Sequence, residues 1–276
     1  MSELVADVSG GGPAVVLLHG QPGSRGDWAR LTRRLTADYL VIAPDRPGYG
    51  DSGGRARGFR GNAAAVISLL DRLEVAQATV VGYSWAGGVA VALAQESRER
   101  LAGLVLVSSV CPGEPLGQLD KMLAVPPIGT AVTAAGMYMA NGILSLPPVR
   151  RTLQRRQQGD AGGDAGTDGD DAGGLAPHEV VAEWVSTRAW QSFVTEQRCL
   201  VDELPLLAAG LAAITTPTVV LVGDADRMVP PGNGRQLART IPGARLVELA
   251  GAGHLLAHQH PDEVAAAVRQ VVTRGS

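Results

Sequence analysis

The stretch TVVGYSWAGGVAVAL, Thr79 to Leu93, decides how the rest of the chain is read. Thr79 to Val81 is a short β-branched run of strand character. Gly82-Tyr83-Ser84-Trp85-Ala86-Gly87 is an abrupt turn, and an Ala/Val/Leu helix follows. A strand that ends in Gly-x-Ser and enters a helix through small residues suggests a nucleophile elbow. The logic is steric. The serine backbone must sit in a sparsely populated region so that its hydroxyl projects above the sheet. Small neighbours leave room for that turn, and the helix N-terminus favours developing negative charge. Ala86 stands where the motif usually has its second glycine, with Gly87 one place later.

Working outward, strand candidates recur on both sides. Leu4 to Val8, Ala14 to Leu18 and Tyr39 to Ala43 precede the elbow; Leu104 to Val107, Thr218 to Val222 and Ala244 to Leu249 follow it. Helical spacing appears between them, at Leu31, Arg34 and Leu35, over Asn62 to Leu73, over Gly234 to Thr240 and over Pro261 to Val272. Alternating strand and helix predicts an α/β fold with a doubly wound, mostly parallel sheet. Sites in such sheets lie at the carboxyl ends of the strands. His19-Gly20, Asp45 and Ser84 fall there. Trp28 reads as packing for the next helix, and Asp45 and Arg46 as structural, one orienting loop backbone and the other pairing with a neighbouring acid.

The alternation stops at Cys111. Residues 111–206 are read as a helical insertion over the strand ends, so that 1–110 and 207–276 form the core. The insertion holds helix candidates at Ile128 to Ala140, Val149 to Gln158 and Glu179 to Leu200. Its Gly159 to Gly174 tract is Gly/Asp-rich and cannot bury apolar area, which predicts a mobile loop. A calcium reading of that tract lacks the closing glutamate and the regular period that such sites need.

Composition bounds the rest. The 276 residues suit one large domain or a domain with an insertion, and 45% hydrophobic with 18% charged residues suits a globular chain. A net charge of −3 without a polybasic block argues against nucleic acid. No run approaches the roughly 20 apolar residues of a membrane span. Cys111 and Cys199 show neither metal spacing nor a disulfide framework. With no basic, apolar leader at the N-terminus, the expectation is a cytoplasmic protein in a reducing compartment.

Ser84, Asp226 and His254 each follow a predicted strand of one sheet. A serine hydroxyl needs a base to become a nucleophile near neutral pH. Histidine has a suitable pKa, and a carboxylate fixes its tautomer. The order Ser, Asp, His is that of the α/β-hydrolase architecture. The chain resembles that family over essentially its whole length apart from the insertion. The resemblance is carried by His19-Gly20-Gln21-Pro22, Asp45-Arg46-Pro47-Gly48-Tyr49-Gly50-Asp51-Ser52, Gly82 to Gly87, Gly223-Asp224-Ala225-Asp226 with Pro230, and Gly253-His254.

The resemblance implies Ser84 as nucleophile, Asp226 as acid and His254 as base, with the backbone N–H groups of Gln21 and Trp85 as the oxyanion hole. It also implies that the insertion is a cap that shapes substrate choice; within it Trp184, Trp190 and Phe193 read either as lining an apolar pocket or as packing the cap onto the core. The short span before His19 points to a reduced or absent first strand.

Asp224 competes with Asp226, and the family spacing Gly-x-x-Asp-x-x-x-Pro selects Asp226. Glu114 is the nearest acid after the Leu104 strand. His178, His258 and His260 read as surface residues.

The expected activity is hydrolysis of a small or medium ester or related acyl substrate through an acyl-enzyme, without metal or organic cofactor. A perhydrolase side activity is compatible with it. Alternatives on the same residues are hydrolysis of a carbon–carbon bond and an aminopeptidase, which needs carboxylates such as Glu179, Glu183 or Glu196 to hold a substrate ammonium. An alternative of another class is a non-catalytic protein of the same fold that binds a small ligand.

Overall fold

The computed structural model describes residues 3–149 and 189–275. A seven-stranded sheet forms its centre. The strands are β1 (Ala6–Gly10), β2 (Ala14–Leu18), β3 (Leu40–Pro44), β4 (Ala78–Tyr83), β5 (Leu101–Val107), β6 (Thr218–Gly223) and β7 (Arg245–Leu249). Their spatial order is β1-β3-β2-β4-β5-β6-β7. β1 lies antiparallel to β3, and the other neighbours are parallel. Each strand expected from the sequence is present within a few residues. The short N-terminal span still supplies an edge strand, because Ala6 to Gly10 pair with Pro44 to Leu40.

The main helices are α1 (Ala29–Leu35), α2 (Phe59–Arg72), α3 (Ala86–Glu96), α4 (Gln118–Ala124), α5 (Ile128–Ser145), α6 (Ala189–Asp202), α7 (Gly232–Thr240) and α8 (Pro261–Gly275). Strand residues alternate between two buried clusters, as a sheet covered on both faces requires. Val16, Leu18, Ile42, Val80, Leu104 and Val220 pack with α2, α3 and α7. Val15, Leu17, Val41, Val81, Val105 and Val219 pack with α1 and α8. These strand side chains are fully buried, each worth about 1.5–3 kcal/mol. This burial makes the sheet rigid and fixes where its carboxyl ends point.

Between β5 and β6 the described chain is helical. α4, α5 and α6 pack on one another, and a 3-10 stretch at Leu204–Ala213 runs against α3. That stretch straddles the expected boundary at 206/207. α4 was not anticipated. Its start is set by the Asp120 carboxylate, which accepts the Gly117 N–H at 3.1 Å. α5 extends beyond the expected Ala140 and leaves Val132, Met139 and Ile143 exposed. Trp184, the Gly159 to Gly174 tract, His178, Glu179 and Glu183 lie outside the described residues. Among the described residues no single helix is long and apolar enough to cross a membrane.

Candidate active site

β4 ends at Tyr83, and the next residue, Ser84, has φ 55. Its N–H donates to the Val107 carbonyl at 2.9 Å, and its carbonyl accepts from Gly87 and Val110. The elbow is thus held on one side by β5 and on the other by the start of α3. Only a surface of small residues permits this. A Cβ on Gly82 would lie 2.8 Å from both the Ala86 carbonyl oxygen and the Ala90 Cβ. Ala86 itself starts the regular turns of α3 and is fully buried. Helical backbone suits alanine, which explains why the missing second glycine leaves the elbow intact.

The carboxyl ends of β4, β6 and β7 bring three side chains together. His254 Nε2 lies 3.0 Å from Ser84 Oγ, and His254 Nδ1 lies 2.8 Å from Asp226 Oδ2. Asp226 is 5% exposed, and its other oxygen accepts the Met228 and Val229 N–H groups, each at 2.9 Å. An ionised carboxylate only accepts, so the His254 proton belongs on Nδ1 and Nε2 faces the serine hydroxyl. This is the arrangement in which a histidine can take a serine proton. Asp224 turns elsewhere. Its carboxylate accepts the Gly251 N–H at 2.7 Å and ties the β6 loop to the loop that carries His254.

Gly20 abuts the serine: a Cβ there would lie 3.3 Å from Ser84 Cβ. Gln21 and Trp85 therefore flank Ser84 from two different loops. Among the described residues neither of their N–H groups donates in the loop and turn hydrogen bonds. The N-terminus of α3 begins at the same place.

Behind these loops lies a buried ion pair, of which the sequence pointed to Arg46 but not to its partner. The sequence offers Glu196, on α6, as a carboxylate for a substrate ammonium. It is instead fully buried and paired with Arg46, itself 1% exposed. The Arg46 guanidinium contacts Glu196 Oε1 and, at 3.2 Å, Oε2, while the Tyr49 hydroxyl donates to Oε2 at 2.7 Å. Arg46 also donates to the His19 carbonyl at 2.9 Å and to the Gly20 carbonyl at 2.7 Å. Its guanidinium carbon sits 4.7 Å from the Trp85 ring centre. Trp85 stacks on Phe59 from its other side and donates its indole N–H to the Glu196 carbonyl at 3.2 Å.

Burial pushes the Glu196 carboxyl up, and Arg46 and Tyr49 pull it back. Burial, then the Arg46 charge, drives His19 well below the usual histidine range. His19 is thus neutral. Its Nε2 accepts the Arg46 backbone N–H at 3.0 Å, so its Nδ1 donates to the Gly20 carbonyl at 3.0 Å.

The remaining sequence candidates fall as follows. Trp190 and Phe193 are half-buried on α6, and the Phe193 carbonyl accepts from the Gln21 side chain at 2.8 Å. Trp28 is fully buried. The Asp45 carboxylate accepts the Arg25 and Asp51 N–H groups, as its loop-orienting reading expected. His258 is not a surface residue. It is half-buried, edge-on to Tyr83 at 6.1 Å, because the helical turn that follows His254, Leu256–Gln259, packs against α1 and α8. Burial pushes the Cys111 and Cys199 thiols up to about 12, so neither is a ready thiolate. Among the described residues no group of three His, Cys, Asp or Glu side chains could hold a metal.

A family model described as "Alpha/beta hydrolase family" matches residues 15–267. The chain belongs to that family. The match runs from β2 into α8 and so takes in all the strand ends described above. Among curated relatives, 2-hydroxymuconate semialdehyde hydrolase from Pseudomonas putida is 29% identical over 262 residues, covering 93% of this chain and 85% of its own length. From Burkholderia cepacia, 2-hydroxy-6-oxo-6-phenylhexa-2,4-dienoate hydrolase is 26% identical over 275 residues, covering 92% and 85%. The fold is shared with a thermophilic esterase from Thermogutta terrifontis, at TM-score 0.75 and 24% identity, over 99% of this chain and 93% of that one. As a member of the family this chain carries its doubly wound sheet.

Proposed function

We propose that the chain is a serine hydrolase that cleaves a small or medium carboxylic ester, or a related acyl compound, through an acyl-enzyme. The observation that carries this reading is the Ser84–His254–Asp226 line, with contacts of 3.0 and 2.8 Å, on a serine at φ 55. Ser84 Oγ attacks the carbonyl carbon as its proton passes to His254 Nε2. The oxyanion faces the Gln21 and Trp85 amides, each such donor being worth on the order of 3 kcal/mol. Collapse breaks the bond to the leaving alkoxide, which takes the proton from His254. Water then repeats the sequence on the acyl-enzyme and releases the acid. Residues 111–206 act as the cap in this reading, and Phe193, beside Gln21, lines the acyl pocket with Trp190.

A second reading, hydrolysis of a carbon–carbon bond on the same residues, draws on the names of two curated relatives. The aminopeptidase reading loses support at Glu196. Both of its oxygens are taken by Arg46 and Tyr49, away from water, so Glu196 itself has no oxygen left to hold a substrate ammonium.

The test is turnover of a p-nitrophenyl ester panel by wild type and Ser84→Ala, with fluorophosphonate labelling alongside. We expect wild-type turnover, a loss of at least about 10⁴-fold in the variant, and label on Ser84 alone. Labelling of Ser84 without ester turnover shifts the reading to carbon–carbon hydrolysis. No labelling makes the chain a ligand-binding member of its fold, and full activity in the variant removes Ser84 as nucleophile.

A further inference from the structure

The buried Arg46–Glu196 pair touches both loops that flank Ser84, and it does so through the peptide groups that matter. The Gly20 carbonyl and the Gln21 N–H belong to one peptide unit. That unit is trans, since among the described residues only the Gln21–Pro22 and Pro126–Pro127 bonds are cis. In a planar trans peptide the carbonyl and the N–H point in opposite directions. Whatever grips the Gly20 oxygen therefore aims the Gln21 N–H. Two donors grip it, Arg46 Nη2 at 2.7 Å and His19 Nδ1 at 3.0 Å. Arg46 Nε holds the preceding carbonyl, that of His19, at 2.9 Å.

The same guanidinium lies against the Trp85 ring, and the Trp85 indole is tied to the Glu196 carbonyl. One cation thus braces the loop of Gln21 and the side chain of Trp85 together. Glu196 orients that cation from α6, 150 positions away in sequence. A lysine cannot do this, because three of the guanidinium nitrogens are engaged in different directions at once.

We propose that Arg46, oriented by Glu196, is a positioning residue for the reaction, setting the Gln21 and Trp85 amides at the spacing that the developing oxyanion requires. The proposal rests on the serine-hydrolase reading above. It extends that reading from the residues around the substrate to the brace behind them, and it gives α6 a part in rate as well as in substrate choice. A misplacement of a few tenths of an ångström at these amides weakens transition-state binding more than ground-state binding.

The experiment compares full-length wild type, Arg46→Lys, Arg46→Met and Glu196→Gln on one p-nitrophenyl ester. It is run below the unfolding midpoint of every variant, with phenylboronic acid as a tetrahedral-adduct probe. We expect kcat to fall by on the order of 10-fold or more in Arg46→Lys, with KM changed less than about threefold. Boronate affinity should fall in parallel with kcat. Glu196→Gln keeps the shape but removes the charge and replaces one accepting oxygen with a donating NH2, and should show the same split more weakly. It also keeps the test open should the Arg46 variants not fold.

If folded variants keep kcat and boronate affinity within twofold of wild type and lose only thermal stability, the proposal is overturned and the pair is structural. A rise in KM alone also overturns it, since that would move the effect to substrate binding. Failure of the underlying reading looks different: wild type itself then shows neither turnover nor fluorophosphonate labelling.

Discussion

Asp226 and Glu196 are both carboxylates withdrawn from water, and both act on the neighbourhood of Ser84, but they are held in opposite ways. Asp226 is held by its own loop. Its partners are two backbone N–H groups two and three residues on, and a histidine from the next strand end. Glu196 is held by another part of the molecule: an arginine and a tyrosine nearly 150 positions earlier. The first carboxylate adjoins a histidine that faces the Ser84 hydroxyl. The second is sealed behind the loops with a fixed cation. The contrast shows two ways of supporting one site, a short loop that makes its own geometry and a tertiary brace that sets the geometry of others.

The sharpest break of this comparison is Asp226→Asn. The amide keeps the shape but favours the wrong histidine tautomer. We expect kcat to fall by about 10⁴-fold with little change in the unfolding midpoint. Kinetics beside thermal melts check this, and a melt that drops while kcat holds would make Asp226 the structural carboxylate of the two.

The next prediction concerns pH. His19 is buried neutral within the Glu196 side of the site, its pKa lowered by burial and by Arg46. The unfolded chain binds a proton at His19 near its ordinary pKa of about 6.5, which the folded chain refuses until well below that. Stability from this residue is therefore complete above that value and lost as pH falls beneath it, by about 1.4 kcal/mol per pH unit. Urea midpoints from pH 7.5 to 5 measure it. His258, also lowered by burial, adds to the slope, so His258→Gln separates the two.

The smallest effect belongs to the elbow. Ala86→Gly restores the usual motif residue but places glycine at the start of α3. We expect a loss of about 0.5–1 kcal/mol in stability and kcat within about threefold. A large gain in kcat would show that Ala86 is a constraint and not an equivalent.

Much of this was legible in the sequence because it is local. Strands announce themselves by unbroken β-branched runs, and loops at their carboxyl ends are marked by glycine and proline. A site whose members each follow a strand can be read in chain order, which is why Ser84, Asp226 and His254 could be named together. Asp45 also kept its local reading. The helices between β5 and β6 were less legible. Their faces are covered by one another, and α5 keeps several large apolar side chains in water, so periodicity there does not mark a core.

What the sequence determined by itself was therefore the sheet, the elbow and the identities at its rim, because each depends on residues within one strand–loop unit. The tertiary structure alone decided that Arg46 meets Glu196 and that His258 lies under cover against Tyr83. It also decided that the Gly20 carbonyl is gripped from behind. The physical reason is that a buried charge declares no partner in its neighbours along the chain. Its partner is set by which distant surfaces the packing of the sheet and α6 brings within hydrogen-bond reach.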